Sequence, residues 1–155
     1  MVSSHALRLI YFYELIRKIE NVKGDIVECG VGWGRSLFAL SLIASIFEID
    51  RHLYGFDSFR GLPEPSPEDD PEKSDLKKGR YTTNKKGVIR HLINSGIEPR
   101  FIDKKITLIE GYFSDTLNKF DGEEIALLHL DVDLYSSYKE TLTFFYPKVV
   151  KGGII

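Results

Sequence analysis

The sequence has a single cysteine, Cys29, so no internal disulfide can form; with no export signal evident, this points to a reducing cytoplasm. It has little net charge, −2 at pH 7, which gives no reason to invoke nucleic acid or an anionic membrane as partner. No apolar run approaches the roughly 20 residues that span a bilayer. Met1 to Leu7 lacks a charged segment followed by an apolar one, so no signal peptide is expected. Internal repeats are missing, and 155 residues make one domain, 1–155, by length. Such a chain can bury about two thirds of its unfolded surface.

What is present is organised around one stretch, Gly24-Asp25-Ile26-Val27-Glu28-Cys29-Gly30-Val31-Gly32-Trp33-Gly34-Arg35-Ser36. It reads as a buried strand, Ile26 to Cys29, then a glycine-rich turn, then a helix opening near Ser36. Glycines at alternate positions let the backbone pass close to a ligand, and the helix start aims unpaired N–H groups at the turn. A dinucleotide fingerprint, G-x-G-x-x-G, needs its third glycine where Arg35 stands. The pattern found, E-x-G-x-G-x-G with Glu28 at the strand end, resembles the S-adenosylmethionine (SAM) turn of Rossmann-like methyltransferases. A tight turn with no ligand is the plainer alternative. Cys29, inside the strand, reads as an inert core thiol.

Residues 4–20 place Leu7, Ile10, Tyr11, Leu15, Ile16 and Ile19 at helical spacing, on a face expected to pack on the sheet or on a partner subunit. A helix is expected from Ser36 to Phe47, with Leu37, Leu40, Ile43, Ala44 and Phe47 inward. Strands are expected at His52–Asp57, Ile106–Glu110 and Ile125–Leu130, helices at Lys86–Asn94 and Tyr135–Tyr146, and a fifth strand from Gly152. The polar segment from Ser58 to Lys86 is acidic first (Glu68, Asp69, Asp70, Glu72) and basic later, and suits a lid or binding loop. Alternation of strands and helices argues an α/β domain with a parallel sheet. Ligands in such sheets bind beyond the carboxyl ends of the strands, where Glu28, Asp57, Glu110, Asp131 and Asp133 all fall. An acid at Asp57 suits ribose hydroxyls, and Gly111 with Tyr112 suits an adenine face.

Asp131 and Asp133 stand two residues apart after an apolar strand. They would repel unless a cation such as magnesium, or a hydrogen-bond net, compensates. The alternative has Asp133 capping the helix near Tyr135 while Asp131 bonds loop amides. His129 reads as a satisfied interior residue. A D-x-D also suits a nucleotide-sugar glycosyltransferase, against which Glu28 beside the phosphates would count.

Further blocks carry a specific resemblance: Gly55-Phe56-Asp57-Ser58-Phe59-Arg60-Gly61-Leu62-Pro63, Glu110-Gly111-Tyr112-Phe113-Ser114-Asp115-Thr116-Leu117, Leu130-Asp131-Val132-Asp133-Leu134-Tyr135-Ser136-Ser137, and Tyr146-Pro147 through Gly152-Gly153. Together with Gly24 to Val31 they resemble the macrocin O-methyltransferase family, in family order and over nearly the whole chain. The resemblance implies a Rossmann-like class I methyltransferase, a central parallel sheet with helices on both faces, using SAM and Mg2+ to methylate a hydroxyl of a sugar or sugar-bearing small molecule. It implies SAM contacts at Glu28, Gly30, Gly32, Trp33, Arg35, Ser36, Asp57, Ser58, Gly111, Tyr112, Phe113 and Asp131. Asp131 would be a metal ligand, and Asp133 a second ligand or the catalytic base. The segment 58–86 would cover SAM. Two departures stand out: Gly34-Arg35-Ser36 follows Trp33 where the family has Arg-Gly-Gly, and the chain stops at Ile155, before the family's Asp-Asp pair and final strands. It therefore looks like a truncated member, able to oligomerise through its open side, and a SAM-binding fragment without turnover is the alternative reading.

Overall fold

The structure is a computed structural model, and it describes residues 4–70 and 75–155. In chain order the elements are α1 (Ser4–Lys18), β1 (Asp25–Cys29), α2 (Arg35–Ile46), β2 (Leu53–Asp57), α3 (Lys85–Asn94), α4 (Pro99–Lys105), β3 (Ile106–Glu110), α5 (Phe113–Thr116), β4 (Ile125–Leu130), α6 (Tyr135–Phe145) and β5 (Val149–Ile154). All five strands among the described residues are parallel, in the order β3-β2-β1-β4-β5. The chain winds outward from β1 in both directions, so β1 and β4 adjoin at the point where the winding reverses. Open α/β sheets form their crevice there.

Side chains alternate across the sheet, as the period of two requires. Ile26, Leu53, Ile106 and Leu127 join one core with α1 to α4; Val27, Cys29, Phe56 and Leu128 join the other, where Phe145 of α6 packs. Helices thus cover both faces. No helix among the described residues is long and apolar enough to cross a membrane.

Four expectations are corrected. The α1 helix packs on α2 and buries Phe12 and Ile16, with Ile19 just past its end also buried, while Leu7, Ile10 and Tyr11 are exposed. A 3–4 spacing admits two overlapping stripes, and the docking partner selects one. Phe47 lies one residue past α2 and is 54% exposed, not inward. Pro99 opens a helix, α4, that the sequence reading missed: proline at the first helical position loses no hydrogen bond, since that N–H has no acceptor. Finally, β5 begins at Val149 rather than Gly152, pairing Val149 with Ile125.

The segment after β2 is tied down at several points. Leu62 N–H donates to Arg80 O and Gly79 N–H to Leu62 O, both at 2.9 Å. The Asp69 carboxylate accepts from Tyr135 N–H at 2.6 Å. Asp69, not Asp133, therefore caps the start of α6, whose N-cap residue is Leu134 with no side-chain cap of its own. The part of the expected lid at residues 71–74, Glu72 included, lies outside the described residues.

Candidate functional site

The turn after β1 is built by close backbone approach. Gly30 N–H donates to Phe56 O at 2.8 Å, and Asp131 N–H donates to Cys29 O at 2.9 Å. Gly30 has φ +87°, and a Cβ there would lie 2.0 Å from Asp131 O, so only glycine fits. Gly32, at φ +52°, is different: a Cβ would meet nothing within 4 Å. One glycine is needed for packing and the other leaves free space.

That space belongs to a cavity of about 470 Å3 beyond the carboxyl ends of the strands. From the turn and the start of α2 it is lined by Gly30, Gly32, Trp33, Arg35 and Ser36. The β2 tip adds Asp57 and Ser58, the β3 tip Gly111, Tyr112 and Phe113, and the β4 tip Asp131 and Asp133. These residues, from Gly30 to Asp133 along the chain, line one cavity. The segment 58–86 supplies another wall through Leu62, Pro63 and Tyr81.

Asp57 is held in place by backbone amides: Oδ2 accepts from Gly32 N–H and Oδ1 from Phe59 N–H, each at 2.7 Å. Burial raises its pKa, and these amides offset only part of the rise. Each oxygen keeps a lone pair for a further donor.

Glu28 is the exception among the expected ligand residues. It is 1% exposed and does not line the cavity. Its Oε1 lies 3.2 Å from His129 Nδ1, and its Oε2 is buried with no hydrogen-bond partner. Burial raises its pKa against the pull of His129. For His129, burial works to lower the pKa, but the Glu28 bond and charge outweigh it and leave it raised. The acid at the strand end is thus bonded to the neighbouring strand, β4. Cys29 is fully buried with its thiol pushed well up by desolvation, an inert core residue.

Asp131 and Asp133 both face the cavity, Asp133 at φ +60°. Partial burial and the charge of Asp131 raise the Asp133 pKa, and Arg80 opposes them. Among the described residues no group of three or more His, Cys, Asp or Glu converges. Two carboxylates are hard oxygen donors of the kind magnesium takes, which keeps waters in its other positions, so they fit as a partial set.

Sequence reasoning missed Arg8, Tyr81 and Glu140, which also line the cavity. Arg8 and Glu140 lie on helices, where only their spacing from buried neighbours could have flagged them.

A five-stranded parallel sheet wound outward from β1, helices on both faces and a cavity around a glycine turn define a Rossmann-like methyltransferase fold. The O-methyltransferase NovP has the same architecture: TM-score 0.83 and 29% identity, over 95% of this chain and 62% of that one. The profile of the family described as Macrocin-O-methyltransferase (TylF) matches residues 4–155, and the chain belongs to that family. The demethyldecarbamoylnovobiocin O-methyltransferase of Streptomyces niveus is 32% identical to it, over 87% of this chain and 52% of its own. An 8-demethyl-8-(2,3-dimethoxy-alpha-L-rhamnosyl)-tetracenomycin-C 4'-O-methyltransferase of Streptomyces olivaceus is 27% identical, over 88% and 52%. The chain spans about half the length of these curated relatives.

Proposed function

We propose that this chain forms the donor-binding part of a SAM-dependent, metal-assisted O-methyltransferase acting on a hydroxyl of a sugar or sugar-bearing small molecule. The observation that carries the reading is the convergence of the Gly30–Gly32 turn, Asp57, Gly111–Tyr112 and the Asp131/Asp133 pair on one cavity. A relative named for a rhamnosyl substrate supports the sugar.

The roles follow the sheet order. Gly111 and Tyr112 would flank the adenine, Asp57 would accept from the ribose hydroxyls, and Gly32, next to the tightly packed Gly30, would leave room for the donor's amino-acid end. Asp131 and Asp133 would hold magnesium. A bound donor supplies a methyl already activated on a sulfonium, and a magnesium ion supplies acidification and orientation of the acceptor hydroxyl. If Asp131 holds the ion without Asp133, the Asp133 carboxylate is instead the base placed to take the hydroxyl proton.

A nucleotide-sugar glycosyltransferase fits less well, for a reason that replaces the one drawn from Glu28. The Gly32 amide that would have met a diphosphate is already donated to the Asp57 carboxylate, which lines the same wall. Titration calorimetry with SAM, NADH and a UDP-sugar tests the reading. SAM should bind, and Asp57→Ala should weaken it by about 1.5–3 kcal/mol, the range for a charged hydrogen bond. Binding of NADH or the UDP-sugar without SAM would overturn it. Transfer of label from methyl-labelled SAM to glycoside acceptors then separates turnover from binding alone.

A further inference from the structure

Phe12 of α1 is 2% exposed, and its ring meets the His129 imidazole edge-on with centroids 5.1 Å apart. His129 is in turn bonded to Glu28 of the adjacent strand. This stack pins α1 over the tips of β1 and β4. Arg8 precedes Phe12 by four residues, so it lies one turn away on the same helix face. It lines the cavity and is half-buried. Because Phe12, one turn along that face, meets His129 of β4, Arg8 reaches the cavity from its β1–β4 end. Among the described residues no carboxylate pairs with Arg8.

The opposite end, at β3 and β2, holds Gly111, Tyr112 and Asp57. In the order β3-β2-β1-β4 the outer two strands are three spacings apart, about 14 Å at roughly 4.8 Å each. An extended nucleoside bearing an amino acid suits that span, with its base over β3 and its amino-acid end over β1 and β4. An α-amino acid presents one carboxylate and one ammonium. The Asp131 side of the cleft suits the ammonium, and a carboxylate needs a cation with donors in a fork, which a guanidinium provides. The other arginine lining the cavity, Arg35, is exposed in the first turn of α2.

We infer that Arg8 binds the carboxylate at the amino-acid end of the methyl donor, so that α1 completes the donor site from outside the strand-tip motifs. This rests on the reading of the cleft as a SAM site, and the test separates the two. Calorimetry compares SAM, decarboxylated SAM and 5'-methylthioadenosine on the wild type, Arg8→Ala and Arg35→Ala. The wild type should prefer SAM to decarboxylated SAM by about 10- to 100-fold, the size of a charge-assisted hydrogen bond. Arg8→Ala should bind the two within about threefold of each other and keep the wild-type affinity for methylthioadenosine, because only the carboxylate contact is lost. Alanine is the best helix former, so α1 should persist, checked by circular dichroism. Retention of the preference in Arg8→Ala, or its loss in Arg35→Ala instead, overturns the inference. If methylthioadenosine and SAM both fail to bind the wild type, the SAM reading itself falls, and this inference with it.

Discussion

Glu28 and His129 sit opposite each other in register on the two central strands, with Oε1 and Nδ1 3.2 Å apart. The Phe12 ring of α1 packs edge-on against the His129 imidazole, so the pair is also joined to that helix. The acid at the end of β1 is therefore partnered by protein at one oxygen, while Oε2 has no hydrogen-bond partner.

The pair gives a stability prediction. His129→Ala leaves the Glu28 carboxyl buried without a partner and should cost about 3–5 kcal/mol. Glu28→Gln keeps the shape and a hydrogen bond while removing the buried charge, and should stay within about 1 kcal/mol of wild type. Urea unfolding at constant m-value measures both. Equal losses would mean that the charge on Glu28 is not what His129 compensates.

The two glycines of the turn should respond differently. Gly30→Ala drives a methyl into Asp131 O and should cost at least about 3 kcal/mol, or prevent folding. Gly32→Ala meets no atom and should cost only the left-handed backbone penalty, about 1–2 kcal/mol. Its methyl occupies cleft space, so SAM affinity should nevertheless fall about tenfold or more. A Gly32→Ala protein that binds SAM like the wild type would place the ligand elsewhere.

Asp69 links the segment after β2 to the start of α6. Asp69→Ala should cost about 1 kcal/mol, as loss of a helix cap does, and should speed proteolysis between residues 58 and 84. Slight burial works to raise its pKa, but the bonds from Tyr135 and Ser66 outweigh it and hold the carboxyl below its ordinary 3.8. Its contribution is therefore complete above about pH 3.8 and lost as pH falls through the lower folded value. The Tm difference between wild type and Asp69→Ala should be flat from pH 7 to 4 and close below that. A gap that closes near neutral pH would assign the tie to another group.

The carboxylate pair can be probed without an acceptor. Mn2+ followed by electron paramagnetic resonance, as a stand-in for Mg2+, should bind the wild type and weaken at least about tenfold in Asp131→Asn and in Asp133→Asn. Binding that survives both substitutions would remove the pair from any metal role.

Local patterns carried much of this molecule. The strands Ile106–Glu110 and Ile125–Leu130 were legible to the residue, because each is a short apolar run with clear turn signals on both sides. The strand-tip residues Asp57, Gly111, Asp131 and Asp133 could be grouped in advance because a parallel sheet puts every strand's carboxyl end on one side. What a strand tip does not reveal is which way the last side chain points, and by how much one strand is staggered against the next. Glu28 sits one residue before the end of β1, on the opposite sheet face from Val27 and Cys29, where its carboxylate meets His129 and does not line the cavity. Likewise Arg8 and Asp69 carry no motif: the docking of α1 through Phe12 puts one in the cleft, and the fold-back of the segment after β2 brings the other to Tyr135. The sequence by itself determined β1 to β4, the glycine turn and the family, since each is written in near neighbours along the chain. Which acids line the cavity and which are buried against protein was decided only by the tertiary structure, because burial and register are properties of strands and helices packed together.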